Sequence, residues 1–220
     1  MPTKTPSRPA VAHHFDDWAQ HYESCVLGMW VFLVTEVMFF GGVFAAYMIY
    51  RLLSPEAFAH ASQRLDIYLG TFNTFILLTS SLTMALAVRE AHHRQPRRTA
   101  VMLGLTMLLG VIFLSVKFYE YYHKYEEGLA PLFGWPFRYE GPDAGPTQLF
   151  FGLYFGMTGI HAVHMIIGIA ILAVFLFRAY RVAYDDREAM TVEIVGLYWH
   201  FVDLVWIFLF PMLYLIDRSV

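Results

Sequence analysis

Cysteine is almost missing from this 220-residue chain, with Cys25 its only example. That excludes an internal disulfide, a CxxC pair, and a thiolate set for copper or an iron–sulfur cluster. Charge is scarce too: Asp, Glu, Lys and Arg make up 15% of the residues, against about 25% in an average protein. The net charge of −3 gives no sign of a nucleic-acid partner. There is no glycine-rich phosphate loop. No Ser-His-Asp or Cys-His arrangement supports hydrolysis. The first 25 residues are polar and lack the apolar core of a cleavable leader, so the first apolar run is expected to act as the insertion signal.

Hydrophobic residues fill the chain instead, at 58%, with 18% aromatic. They gather in five apolar runs of about 20 residues or longer, at 26–50, 68–88, 100–119, 148–177 and 193–216. At ~1.5 Å per residue each is long enough to cross ~30 Å of hydrocarbon. The expected fold is all-α, an integral membrane bundle of five transmembrane helices, preceded by a polar arm at 1–25. Span four is longer than a crossing needs and is expected to tilt or project, and its Gly152 and Gly156 permit close helix approach. Span two carries Thr74, Ser80, Ser81 and Thr83, residues that suit helix–helix contacts or a water-lined path. Lys117 and Glu120 close span three and are expected to reach for the interface. Basic residues are denser in the amino-terminal arm and in the loops after spans two and four. This places the amino terminus in the cytoplasm and the carboxyl terminus outside.

The informative residues are the polar ones inside the runs. Glu36 is the one charged side chain between residues 26 and 50, near mid-span. An ionised carboxylate there costs several kcal/mol, so it is protonated, paired or facing a polar interior. It reads as a proton-linked or partner-binding acid, or as a structural carboxyl bonded to a neighbouring helix. Asn73, His161, His164, His200 and Asp203 need partners as well. His161 and His164 lie one turn apart on span four and share a face. They suit metal or haem ligation, or a bond to a carboxylate or backbone carbonyl. Similar depth makes either histidine a candidate partner for Glu36. His13, His14 and His21 in the arm offer a further metal-binding option, against a solvated arm. His200 and Asp203 on span five suit an interface anchor or a lipid headgroup contact.

The stretches GMWVFLVTEVMFFGGVFAAY, GLYFGMTGIHAVHMIIGIAIL and GLYWHFVDLVWIFLFPMLYL resemble subunit III of the haem–copper oxidases, the cytochrome c oxidase group, and NTFILLTSSLTMALAV and KFYEYYHKYEEG agree. The resemblance runs from about Gly28 to Ile216. Long members of that family have seven spanning helices, and this chain has room for five, without the first two. The resemblance implies an accessory subunit without haem or copper of its own, beside a catalytic subunit I that reduces dioxygen and pumps protons, with subunit II and possible supercomplex partners. It implies support of proton uptake, phospholipid binding, and protection of the catalytic subunit. Glu36 matches the family carboxylate that reacts with dicyclohexylcarbodiimide, and Arg178 matches an arginine that contacts a lipid phosphate. The family's lipid cleft is built partly from the two helices that this chain lacks. A quinol oxidase or a nitric-oxide-reductase-associated complex would host such a subunit equally well. A small proton-coupled transporter is the rival from another class, and five spans without an inverted repeat speak against it.

Overall fold

In a computed structural model, residues 18–131, 137–139, 141, 143–181 and 186–216 are described. They form six helices and, among the described residues, no strand: α1 Trp18–Leu53, α2 Pro55–Gln63, α3 Ile67–His92, α4 Pro96–Glu126, α5 Ala144–Arg181 and α6 Asp186–Tyr214. Five of these are long and apolar enough to cross a membrane. The arm before Trp18, with His13 and His14, lies outside the described residues.

Each apolar run is extended by polar turns. α1 begins at Trp18, eight residues before its run, so Tyr22 and Cys25 belong to the helix. Asp66 caps α3, its carboxylate accepting from the backbone N–H of Tyr68 and Leu69 at 2.8 and 3.3 Å. Pro96 opens α4, where a missing N–H costs nothing. α4 continues past Tyr119 to Glu126 and ends at Gly128, whose φ of 69° favours a residue without a Cβ. Leu129 N–H bonds Lys124 O and Gly128 N–H bonds Tyr125 O, which closes the helix with a Schellman motif.

The stretch between spans one and two contains a short helix, α2. It lies across one end of the bundle. Phe58 packs on Tyr47 and Phe150, and Ser62 Oγ donates to Leu213 O at 2.7 Å.

α3 packs on α4 and α6, α4 on α5, and α5 on α6, while α1 rests against α6. Aromatic side chains fill the centre: Trp199, Trp206, Tyr154, Tyr214 and Phe113 are fully buried. Trp199 is seated between two glycines. A Cβ on Gly110 of α4 or on Gly168 of α5 would come within 2.9 Å of its ring. Two hydroxyls of α3 face α6: Trp199 Nε1 donates to Ser80 Oγ at 2.8 Å and Trp206 Nε1 to Thr74 Oγ1 at 3.0 Å. Thr83 bonds Thr106 across to α4 at 2.8 Å. Gly152 and Gly156 make no close approach, since a Cβ at either would meet nothing within 4 Å.

Candidate functional site

Glu36 lies at the middle of α1 and His164 at the middle of α5. Met29, Phe32, Glu36 and Phe40 recur at helical spacing and turn one stripe of α1 toward α5 and α6. His164 Nε2 stands 3.1 Å from Glu36 Oε2. His164 Nδ1 is 2.9 Å from the carbonyl of Ile160. A carbonyl only accepts, so Nδ1 carries a proton, and the bond to Glu36 then needs one further proton between Nε2 and the carboxyl. The pair is therefore a one-proton unit with two arrangements, neutral acid against neutral imidazole or carboxylate against imidazolium. In both, the net charge is zero, which removes the cost of a lone carboxylate at that depth.

The pair borders a cleft of roughly 470 Å³ between α1, α5 and α6, with Met29, Phe32, Ile167, Ile171 and Val195 on its walls. Glu36 and His164 are 18% and 16% exposed, so the cleft reaches both. Tyr198 braces this site: its hydroxyl donates to His164 O at 2.9 Å and its ring lies 6.1 Å from Phe32.

The two histidines of α5 separate. Three residues on a helix turn ~300°, which leaves about 60° between the side chains, and a packed bundle makes that decisive. His164 meets α1, whereas His161 turns inward, with its ring 5.5 Å from Phe113 and 5.3 Å from Trp206. His200 and Asp203 stand near the middle of α6. His200 Nδ1 lies 2.7 Å from Ser81 Oγ, and Asp203 is buried one turn further along α6. Asn73 is buried toward the Tyr214 end of the bundle. Arg178 stands near the end of α5, about half exposed, and pairs with Glu188 of α6. Among the described residues, no group of three His, Cys, Asp or Glu side chains could hold a metal ion.

Lys117 and Glu120 overturn the expectation that they reach the interface. They are 3% and 2% exposed and point inward. Lys117 Nζ donates to Glu120 Oε2 at 2.9 Å, Tyr214 OH at 2.7 Å and Tyr154 OH at 3.2 Å. Tyr214 OH donates to Glu120 Oε1 at 2.7 Å. The rings of Tyr121, Tyr154, Trp206 and Tyr214 surround the ammonium at 5.0–5.6 Å. All three ammonium donors are used, which a buried ion pair requires. The sequence signal was the cluster of tyrosines around Lys117, but the phenols that complete the network lie 37 and 97 residues away.

A bundle of five long apolar helices around a buried acid defines a multi-pass membrane protein. The sequence matches the family Cytochrome c oxidase subunit III over residues 18–126 and 144–217. The chain belongs to that family. It is similar to cytochrome c oxidase subunit 3 of Synechocystis sp., 32% identical over 215 residues, covering 97% of this chain and 82% of the relative. It is similar to the subunit of the same name in Thermostichus vulcanus, 31% identical over 203 residues and 90% of each chain. It is also 29% identical to probable quinol oxidase subunit 3 of Staphylococcus aureus, over 86% of this chain and 88% of the relative.

Proposed function

We propose that this chain is the accessory subunit III of a haem–copper terminal oxidase of the cytochrome c oxidase type. In this reading it holds no redox cofactor itself. Haem and copper reside in partner subunits I and II, and this subunit supports proton uptake, holds phospholipid and stabilises the catalytic subunit. The observation that carries the reading is the family match along both halves of the chain, with the Glu36–His164 pair inside the matched region. A half-buried acid that shares one proton with an imidazole suits an accessory proton-linked role. A catalyst of oxygen reduction would need an electron path through the chain.

Glu36 is the functional carboxylate and His164 its partner. Arg178, about half exposed near the end of α5, is the candidate for a lipid phosphate, and the apolar cleft beside Glu36 suits an acyl chain. The chain resides in the cell membrane with its amino terminus in the cytoplasm. Labelling engineered cysteines at 89–99 from each side tests that orientation, and reaction from outside overturns it.

Purification of the intact complex tests the main reading. Copurification with haem-bearing polypeptides is expected, and isolation with none of them overturns it. Stoichiometric haem or copper on the isolated chain would overturn the cofactor-free assignment. The Staphylococcus aureus relatives favour a second reading, a subunit of a quinol oxidase. Oxidation of reduced cytochrome c against oxidation of a quinol by the purified complex separates the two.

A further inference from the structure

Among the described residues, buried side chains outside the Glu36–His164 pair and the Lys117–Glu120 network that have polar atoms with no hydrogen bond include Asn73, His161 and Asp203. Asn73 of α3 is 0% exposed and His161 of α5 is 1% exposed. Both amide atoms of Asn73 and both ring nitrogens of His161 have no hydrogen-bond partner among the described residues. Buried polar groups in folded proteins are almost always satisfied, because leaving one bare forfeits its solvation without return.

The surrounding contacts bring the two side chains to one place. His161 lies 5.3 Å from the Trp206 ring, and Lys117 Nζ lies 5.0 Å from it. The Trp206 indole donates to Thr74, the neighbour of Asn73. The bond between Thr83 and Thr106 fixes the antiparallel register of α3 and α4. Carried ten residues along, that register sets Asn73 level with Val116, between Phe113 and Lys117. Asp203, one turn before Trp206 on α6, continues the polar line toward His200 and Ser81.

The mixture of atoms selects the ligand. Asn73 offers donors and an acceptor, and a neutral imidazole offers one of each. A cation would leave the donors bare, an anion would leave the acceptors bare, and an apolar molecule would leave both. A small neutral molecule that donates and accepts satisfies them all. We propose that ordered water is bound inside the bundle between α3, α4, α5 and α6, bridging Asn73 and His161 toward the Lys117–Glu120 network. This internal water site is separate from the cleft at Glu36.

Radiolytic hydroxyl-radical footprinting of the intact membrane complex tests the proposal, because radicals formed from a bound water oxidise the side chains beside it. Trp206, Phe113, Phe58 and Phe150 are all fully buried, and only the first two border the proposed site. Oxidation of Trp206 and Phe113 several-fold above that of Phe58 and Phe150 is expected, with a fall at both in Asn73→Leu. Equal, background oxidation of all four in the wild-type complex overturns the proposal. So does a density map that resolves water elsewhere in the complex and shows Asn73 and His161 bonded directly to protein.

Discussion

The two halves of the bundle are held together by different means. At the end that carries Lys117, Tyr154 and Tyr214, helices α4, α5 and α6 meet in a closed polar network wrapped in aromatic rings, and α2 covers that end. In the other half, α1 leans away from α5, and the Glu36–His164 bond spans an open cleft. Its far end is tied by Tyr22 OH donating to Glu193 at 3.1 Å, with His92 3.3 Å from the same carboxylate. α1 is the more exposed helix, with few of its apolar residues buried, whereas more than half of the apolar stretch of α6 is buried. Both halves contain a carboxylate at membrane depth. One is locked and out of reach, the other poised where a small molecule or a lipid tail can approach. Stability resides in the first and adjustable chemistry in the second.

The sharpest way to break this contrast is Lys117→Met. It leaves Glu120 buried without its cation, and should cost about 3–5 kcal/mol. The expected readout is loss of the subunit from the purified complex. The double variant Lys117→Met with Glu120→Leu should restore much of that retention, because no charge remains unpaired. If the single variant is retained as well as the wild type, the Lys117 end is not the rigid half.

Gly168→Ala comes next. A methyl group within 2.9 Å of Trp199 must displace the indole that joins α4, α5 and α6. Overpacking of about 1–3 kcal/mol is expected, read as a lower midpoint in thermal unfolding of the complex. The same change at Gly41, on the exposed face of α1 with nothing within 4 Å, should leave the midpoint unchanged.

Ser80→Ala removes the acceptor of the Trp199 indole and should cost about 0.6 kcal/mol, the usual size for a bond between membrane helices. Glu36→Gln is expected to do least to stability, within about 0.5 kcal/mol, because the amide can still donate to His164 Nε2. Its mark is spectroscopic: the Glu36 carboxyl band disappears from the infrared spectrum. His164→Leu should move that band and His161→Phe should not. Oxygen reduction should begin at a near-normal rate in Glu36→Gln, with any deficit appearing in proton uptake or catalytic lifetime.

The spans were legible because apolar length is a one-dimensional property, and a bilayer demands about twenty such residues wherever they occur. The ends were less so. Apolar count stops at Tyr119, but α4 runs to the Gly128 turn because helix geometry tolerates the polar KYEE stretch. α2 was missed because nine residues with mixed polarity carry no membrane signal, and its burial depends on Tyr47 and Phe150 from other elements. Glu36 and a histidine near its depth could be paired from position along their runs. Which histidine could not, since 60° of rotation on α5 matters only once α1 and Trp206 are in place. Lys117 was misread for a similar reason. A charged residue near the end of an apolar run ordinarily escapes to the headgroups, and only the fold shows Tyr154 and Tyr214 waiting inside.

The last turn of α6 also bears on how the chain is made. Tyr47 donates to Met212 O at 2.6 Å and Ser62 to Leu213 O at 2.7 Å, across 165 and 151 residues. Those carbonyls are made after their donors, on a helix that follows α1 and α2 by more than 120 residues. Tyr47 and Ser62 therefore lack these acceptors until α6 is in place, so α1 and α2 can complete their docking only after α6 has entered the bundle.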